Sequence, residues 1–589
     1  IIGLKILNLF SSAKYWVLGL LLIGLMTQLS WKTADGKYNS QIISGDGVGY
    51  YQYLVNYFYN ETVENQEKNS DFMMEYEGRI VNKCFVGAAL CMTPFYKLAE
   101  FHSYLVNETF DPFSPRTKKW INIGSLVYLF FGLAFIYLWL RLLKLKESSI
   151  FWSLLGISLG SNLFLYAVLS PSMTHVYSFF AVSTFFFFST HYFSYKKTSS
   201  FILASFFLGL IVVIRPINGV VILLLPLLSN GSKEMISTLR TLQLKRWAIA
   251  VIFGLIPIVI QFYLWYLQTN HWLVWSYGEE GFNWSNPQVM EVLFGFRKGW
   301  LVYTPIAALS LFALPRLYKR SIPSFVSVLL FLVTLIYIVS SWWNWYYGSS
   351  FGQRSFVDFY AIIALLLAIL IDSFYDKRLM DVLLKVLIVS LIGLNLFQSF
   401  QYKENIISSW DMTARKYVAT FGVSKPHQVK IGGSRALLPY NAQKELLLDT
   451  ALSVGTMIQK ELNNQQQYFD YSGKEYGLAL KYDLITCHSL SRGYYLEIET
   501  SRLELELNSS ENAKMIVEVK DENGNNSLYT WFLLNEVPSK EKGEWQSYNY
   551  QLKLSKCTSD NSQLSVYIRN EDKSDFLISK LDLKLFDLY

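Results

Sequence analysis

Residues 200–229 read SFILASFFLGLIVVIRPINGVVILLLPLLS, and this stretch decides how the rest of the chain is arranged. A membrane-spanning helix needs about 20 apolar residues. The stretch is too long for one such span and carries Arg215-Pro216 at its middle. Proline removes a backbone donor and disfavours helix at the residue before it. We therefore predict two short membrane segments, about 200–214 and 217–229, which meet at Arg215–Asn218.

The composition indicates that much of the chain is embedded in a lipid bilayer. Of its 589 residues 52% are apolar and 16% carry charge, whereas about a quarter of the residues are charged in soluble proteins. Long apolar runs fill residues 1–400, and residues 401–589 have the polar composition of a soluble domain. The net charge of +7 is small for this length and gives no reason to expect a nucleic-acid partner. The fold class predicted is an α-helical polytopic membrane protein with a C-terminal soluble domain.

The distribution of positive charge orients the membrane segments. With the N-terminus in the cytoplasm, every short inside loop holds Lys or Arg, as the positive-inside rule requires. A single span across 200–229 would place the later Lys and Arg clusters outside. We predict about eleven membrane segments in a bacterial inner-membrane protein, the first an uncleaved anchor, with the C-terminal domain in the periplasm. Besides the two short segments, the predicted spans are 14–30, 120–143, 149–169, 174–194, 247–268, 300–316, 322–342, 356–374 and 380–400.

The long first outer loop, 31–118, carries a glycine-flanked acid in the sequence SGDGVGYYQYL at Ser44–Leu54. Glycines on both sides of Asp46 allow a close approach between the backbone and a ligand. The tyrosines behind them are expected along the membrane interface, and an amphipathic segment follows at 79–105. The alternative is a plain glycine turn with a solvated Asp46.

With this element directly after the first span, residues 1–400 resemble the glycosyltransferase C (GT-C) superfamily, polytopic enzymes that use polyprenyl-phosphate sugars. The resemblance is closest to the mannosyltransferase and aminoarabinose-transferase branch, and to Bacteroidota members with a Gly-Asp-Gly-x-Gly-Tyr-Tyr element. It implies that Asp46 is the general base, which removes the acceptor proton while the lipid phosphate leaves. It also implies single displacement with inversion. Glu75 or Glu77 is the candidate for a second acid.

A reaction that releases a lipid phosphate needs cations on the outer face. Arg79 and Lys83 are four residues apart, which would place them on one face of a helix. Arg215 lies at the proline-broken turn. The full set of substrate- or phosphate-binding candidates is Arg79, Lys83, His175, Arg215, Arg297 and Arg354.

Structural alternatives stay open for several of these candidates. Arg297 could extend to the lipid headgroups, and Arg354 could form an i,i+4 ion pair with Asp358. A histidine at a helix start, as His175 is, more often has a structural role. The tryptophan-rich segment 342–347 before Arg354 is most simply an interface anchor.

The sequence contains no cofactor motif. Its four cysteines are too few for a disulfide framework, and no Cys/His spacing suggests zinc. We therefore expect no bound cofactor, and a divalent metal ion is left open.

From about residue 475 the hydrophobic pattern alternates with period two, as in 494–498, 515–519, 564–568 and 581–585. This pattern predicts an antiparallel β-sandwich over 471–589. Residues 401–470 are expected to form a helical or irregular connector, with helix at Leu446–Leu448 and Leu452–Ile458. Tyr529, Trp531 and Trp545 would offer stacking surfaces for a sugar if they face outward.

The function predicted is an inverting transfer of a sugar from a polyprenyl-phosphate donor to a glycan, lipid or protein acceptor. Membrane lipid is the other expected partner. Three alternatives remain: transfer of an oligosaccharide to protein, transport or flipping of a lipid-linked sugar, and a non-catalytic subunit. Scarce intramembrane acids and the absence of an internal repeat speak against a transporter.

Overall fold

The chain divides into two compact units, Ile1–Ser399 and Phe400–Tyr589. In the first unit and at the start of the second, the computed structural model describes residues 19, 42–60, 72–229, 231–278, 280–403, 406–409 and 412–424. Further on it describes 444–453, 461–462, 466–484, 494–506, 509–510, 512–520, 524, 526–536, 542–554 and 562–588. The predicted first span, 14–30, lies outside the described residues except for Gly19.

Among its described residues the first unit is helical, apart from one two-stranded hairpin. Its first elements are α1 (Asp46–Phe58), β1 (Met73–Tyr76), β2 (Arg79–Asn82), α2 (Gly87–Leu105), α3 (Pro115–Leu142), α4 (Glu147–Leu159), α5 (Leu163–Val168), α6 (His175–Tyr195) and α7 (Thr198–Ile214). A 3₁₀ helix (Pro216–Leu224) follows, then α8 (Leu225–Leu228), α9 (Ser232–Arg240), α10 (Leu244–Thr269), α11 (Val289–Phe294), α12 (Trp300–Tyr303), α13 (Pro305–Leu311) and α14 (Leu314–Arg320). The last elements are α15 (Ile322–Ser341), a second 3₁₀ helix (Arg354–Phe359), α16 (Tyr360–Asp372) and α17 (Arg378–Lys403), which runs into the second unit.

Among the described residues, five helical runs are long and apolar enough to cross a membrane. A sixth is added if the bent pair Pro216–Leu228 and Ser232–Arg240 counts as one span. These runs indicate a membrane protein, and the count of eleven segments stays a prediction. The five runs are Pro115–Leu142, Leu244–Thr269, Ile322–Ser341, Arg354–Asp372 and Arg378–Lys403.

The helix break predicted at Arg215-Pro216 is present. The last residue of α7 is Ile214, and Arg215 itself is extended, with φ −152° and ψ 115°. Pro216 then starts the first 3₁₀ helix. Proline fixes its own backbone and pushes the preceding residue out of the helical region. Arg215 therefore lies at the break between two apolar helical segments and not within a continuous span.

The helix expected across 79–105 begins eight residues late, and the prediction that Arg79 and Lys83 share a helical face is wrong. Arg79 begins β2, which pairs antiparallel with β1 so that Tyr76 faces Arg79 and Met73 faces Asn82. The reversal between the strands uses positive φ at Glu77 and Gly78. Pairing with β1 satisfies the backbone of 79–82 locally, and helix α2 starts only at Gly87.

Among its described residues the second unit contains two large antiparallel sheets, as the alternating pattern predicted, and a separate two-stranded pair of β4 and β5. Its elements are α18 (Ala414–Thr420), β3 (Lys444–Ser453), β4 (Glu461–Leu462), β5 (Gln466–Gln467), β6 (Phe469–Asp470), β7 (Tyr476–Leu484), β8 (Tyr494–Glu504), β9 (Lys514–Lys520), β10 (Asn526–Leu533), β11 (Gln546–Leu554), β12 (Ser562–Arg569) and β13 (Phe576–Leu588). One sheet has the order β10-β9-β12-β7 and the other β11-β8-β13-β3. Apolar residues of both sheets, among them Leu496, Val517, Val566 and Leu583, form one buried core.

One expectation for the connector is wrong. Leu446–Leu448, predicted as helix, lies in β3, which pairs antiparallel with β13 along its length. The local sequence contains good helix formers, but the side of β13 that β8 does not occupy offers a row of backbone partners that a helix would leave unused. Of the second predicted helix, 452–453 belong to the same strand and 454–458 lie outside the described residues.

Of the aromatics considered for sugar stacking, Tyr529 and Trp531 on β10 are exposed. Trp545 is partly buried and packs against Tyr468, Leu503 and Leu577. Two of the three therefore present their rings at the surface, and binding of a sugar there stays a prediction.

Candidate functional site

A cavity of about 500 Å³ in the first unit brings together predicted residues that are far apart in the sequence. Five of the candidates contribute to its lining: Asp46, Lys83, His175, Arg215 and Arg354. They come from the start of α1, the end of the hairpin, the start of α6, the break after α7 and the start of the second 3₁₀ helix.

Asp46 is the first residue of α1, and the glycines beside it set its position. Gly45 has φ +54°, a backbone conformation that glycine adopts most readily. A side chain at Gly47 would overlap Ser172, in the turn before α6. At Gly47 the chain thus closely approaches the side chain of Ser172, and a close approach of these glycines to a ligand stays a prediction. The contact with Ser172 anchors the start of α1 against the turn at 170–174 and so holds Asp46 at the cavity.

The tyrosines that follow Asp46 are in the interior of the unit, and the expectation of an interfacial belt is wrong. Tyr51 and Tyr53 are buried, and their hydroxyls donate to the carbonyl oxygens of Pro112 (2.5 Å) and Cys84 (2.8 Å). Each phenol finds an acceptor on another segment of the first loop, so the aromatic run fixes α1 within the fold.

Asp46 forms an ion pair with Arg354 across the cavity. The Nη2 atom of Arg354 lies 2.6 Å from Oδ2 of Asp46. The side chain of Asp46 is 41% exposed and that of Arg354 only 8%. The Nε atom of Arg354 is buried without a hydrogen-bond partner. A buried guanidinium with unused donors next to a partly exposed carboxylate leaves room for a second anion.

The alternative pair, Arg354 with Asp358, is not formed. Residues 354–359 form a 3₁₀ helix, in which residues three apart align and residues four apart do not. Asp358 instead accepts from His175 Nδ1 (2.8 Å), Arg215 (3.3 Å) and the amide of Asn218 (2.7 Å). Asp358 is fully buried. Its carboxylate, near the end of the second 3₁₀ helix, joins that helix to the start of α6 and to the start of the first 3₁₀ helix, a connection that sequence reasoning missed.

A second acid lines the cavity, and it is Glu280 rather than Glu75 or Glu77. Glu280 forms an ion pair with Lys83. The sequence around it, Gly278-Glu279-Glu280-Gly281, is again a glycine-flanked acid in a predicted outer loop. The signal that singled out Asp46 was thus also present here.

The other predicted candidates do not line the cavity. Glu75, Glu77 and Arg79 are exposed residues of the β1–β2 hairpin, and Glu77 lies 3.2 Å from His271. Arg297 packs over the ring of Tyr346, 3.3 Å from its centroid. The hairpin side chains stay outside because the strand pairing turns this segment back on itself before Lys83.

Aromatic and aliphatic side chains form the rest of the cavity wall. The segment 342–347, expected as an interface anchor, contributes Trp342, Trp343 and Tyr347. Burial raises the pKa of Tyr277, whose phenol therefore stays protonated. Trp275 and Trp343 are both lining residues and strongly exposed, so the wall continues onto the protein surface.

Metal ligands are not grouped in the part of the chain that the structure describes, where no three His, Cys, Asp or Glu side chains come together.

No protein-family model matches the chain, and no curated protein matches it. Among solved structures, the chain is similar to the arabinosyltransferase EmbB from Mycobacterium smegmatis, with 10% identity and a TM-score of 0.27. The match covers 83% of this chain, which spans about three fifths (59%) of the length of that structure. A similarity of this size says nothing about activity, which has to follow from the cavity itself.

Proposed function

We propose that this protein is a membrane glycosyltransferase that transfers a sugar from a polyprenyl-phosphate donor to a hydroxyl or amine group of a glycan, lipid or protein acceptor. One observation carries the proposal: a single cavity joins the carboxylate of Asp46 to the cations of Arg354, Arg215 and Lys83. Attack on a sugar phosphate needs a proton acceptor on one side and positive charge for the departing phosphate on the other.

A lipid-linked donor is supported by helix α10. Its residues Ile258, Phe262 and Trp265 line the cavity, while Val259 and Tyr263, on another face of the same helix, are exposed. Exposed apolar side chains on a membrane-spanning helix face lipid. A prenyl chain can therefore lie along α10 while its phosphate reaches the cations of the cavity.

In the proposed reaction Asp46 acts as the general base. It takes the proton from the acceptor as the acceptor oxygen or nitrogen bonds to the anomeric carbon, and the bond from that carbon to the phosphate oxygen breaks. The leaving phosphate gains negative charge, which the guanidinium groups of Arg354 and Arg215 stabilise by charge-assisted hydrogen bonds. A single displacement of this kind inverts the anomeric configuration.

The experiment that tests this function is transfer from polyprenyl-phosphate sugar to cell-envelope acceptor by purified protein. We expect Asp46→Asn to slow transfer by about 100- to 10,000-fold, the usual contribution of a general base. Glu77→Gln, an acid of the same loop outside the cavity, is the matched control and should leave the rate unchanged. Undiminished transfer by Asp46→Asn would remove Asp46 as the base. Failure of the unmodified protein to consume any lipid-linked sugar would overturn the function.

A further inference from the structure

The ion pair between Asp46 and Arg354 engages two groups that the proposed reaction uses separately. Asp46 has to meet the acceptor, and Arg354 has to meet the donor phosphate. In the structure each is the other's partner, with 2.6 Å between Arg354 Nη2 and Asp46 Oδ2. A donor phosphate that binds Arg354 therefore competes with Asp46 for the same guanidinium.

During transfer, negative charge moves from Asp46 to the leaving phosphate, and competition for Arg354 fits this movement. Asp46 loses its negative charge when it takes the acceptor proton. The donor phosphodiester carries one negative charge, and the polyprenyl phosphate that leaves carries two once its bond to the anomeric carbon has broken. One unit of negative charge thus disappears at Asp46 and appears at the phosphate. A guanidinium within reach of both keeps an anionic partner throughout.

We propose that Arg354 is shared between Asp46 and the donor phosphate, so that donor binding releases Asp46 to act as the base. This inference rests on the proposed function and adds a regulation of the same site. In the resting protein Arg354 holds Asp46. The donor phosphate draws Arg354 away, and the acceptor finds a free carboxylate only when a donor is already in place.

The surroundings of the two residues suit such an exchange. The guanidinium of Arg354 uses Nη2 for Asp46, its Nη1 lies 3.9 Å from the sulfur of Met173, and its Nε has no partner. Donors thus remain for a phosphate. Asp46 is 41% exposed, so its charge stays hydrated when Arg354 leaves. Arg215 differs, because its partner Asp358 is fully buried and would lose its arginine while out of reach of water, with only His175 and Asn218 left to it.

A static pair makes the opposite prediction for ligand binding. If Arg354 only orients Asp46, removing the charge of Asp46 leaves the affinity for phosphate unchanged or lowers it. If the two anions compete, the same change frees Arg354 and raises the affinity. A variant without transfer activity would then bind the lipid phosphate more tightly than the active protein.

The experiment is a double-mutant cycle on the affinity for polyprenyl phosphate, with uncharged polyprenol as the reference ligand. The proteins are the unmodified chain, Asp46→Asn, Arg354→Gln and the double variant, all purified in the same detergent. We expect Asp46→Asn to tighten binding of polyprenyl phosphate by about two- to fivefold, the range of a partly exposed ion pair. Arg354→Gln should weaken binding, and adding Asp46→Asn to it should have much less effect, since coupled residues are not additive.

Each outcome decides between the possibilities. Unchanged or weaker binding by Asp46→Asn, or equal tightening with and without Arg354, would overturn the shared arginine and leave the proposed function standing. No preference of the unmodified protein for polyprenyl phosphate over polyprenol would overturn both. Asp46→Ser serves as a second neutral variant, and thermal unfolding shows that each protein compared is folded.

Discussion

Asp46 and Asp358 are two aspartates that each bind an arginine lining the same cavity, and their surroundings differ in every other respect. Asp358 is fully buried, and both of its oxygens accept hydrogen bonds, from His175, Arg215 and Asn218. Asp46 is 41% exposed and pairs with Arg354 through one of its two oxygens. A carboxylate with both oxygens engaged by buried partners is suited to hold segments together. A carboxylate with one oxygen open to the cavity is suited to take a proton.

The difference extends to the arginines. Arg215 is held by a buried anion at the break between two apolar segments, so its position is set by the fold. Arg354 is held by an anion that water can reach. The cavity therefore combines a fixed cation with one that can change partner.

The largest expected difference between the two aspartates is in stability. Asp358→Asn leaves Arg215 without its buried anion, which should lower the free energy of unfolding by about 3 kcal/mol or more. Asp46→Asn removes a partly exposed pair and should cost at most about 1 kcal/mol. Thermal unfolding of both variants in the same detergent measures this difference in stability. Equal losses in the free energy of unfolding would show that the two carboxylates contribute equally to stability.

A smaller effect should follow from the packing that positions Asp46. Gly47→Ala places a methyl group on Ser172, and overpacking of this kind typically costs about 1–3 kcal/mol. We expect slower transfer because the start of α1 shifts together with Asp46. The double variant Gly47→Ala/Ser172→Gly makes room for the methyl group and should recover much of the rate. Absence of any recovery would mean that the contact with Ser172 does not place Asp46.

The smallest effect is expected outside the cavity. Glu75 and Glu77 are exposed hairpin residues, and changes at such positions usually alter stability by less than about 0.5 kcal/mol. Glu75→Gln/Glu77→Gln should therefore keep the transfer rate and the unfolding temperature of the unmodified chain. A clear loss of transfer would place an essential acid on the hairpin and weaken the contrast drawn between Asp46 and Asp358.

Several features could be predicted because they depend on short-range patterns. The break at Arg215-Pro216 follows from the covalent structure of proline. The alternation of apolar residues after 475 requires only that one face of each strand is buried. Asp46 could be singled out by its glycines and its position, although the packing of Gly47 on Ser172 could not.

Other features depend on partners that no local pattern reveals. Leu446–Leu448 joins a sheet because β3 pairs with the side of β13 that β8 does not occupy. Arg354 binds an aspartate 308 residues away rather than the one four residues away, since 354–359 adopts a 3₁₀ helix. Glu280 carried the same glycine-flanked signal as Asp46, and only its ion pair with Lys83 places it at the cavity.

The sequence by itself determined that this protein is built from apolar helices followed by a β-rich unit, because hydrophobic periodicity and span length are properties of neighbouring residues. It also determined which side chains were worth testing. Only the tertiary structure decided which of them meet, since the cavity joins segments that are hundreds of residues apart. The same packing made Asp358 a buried connection between segments and left Asp46 open to the cavity, a difference that arises from burial and partners and not from the residue type.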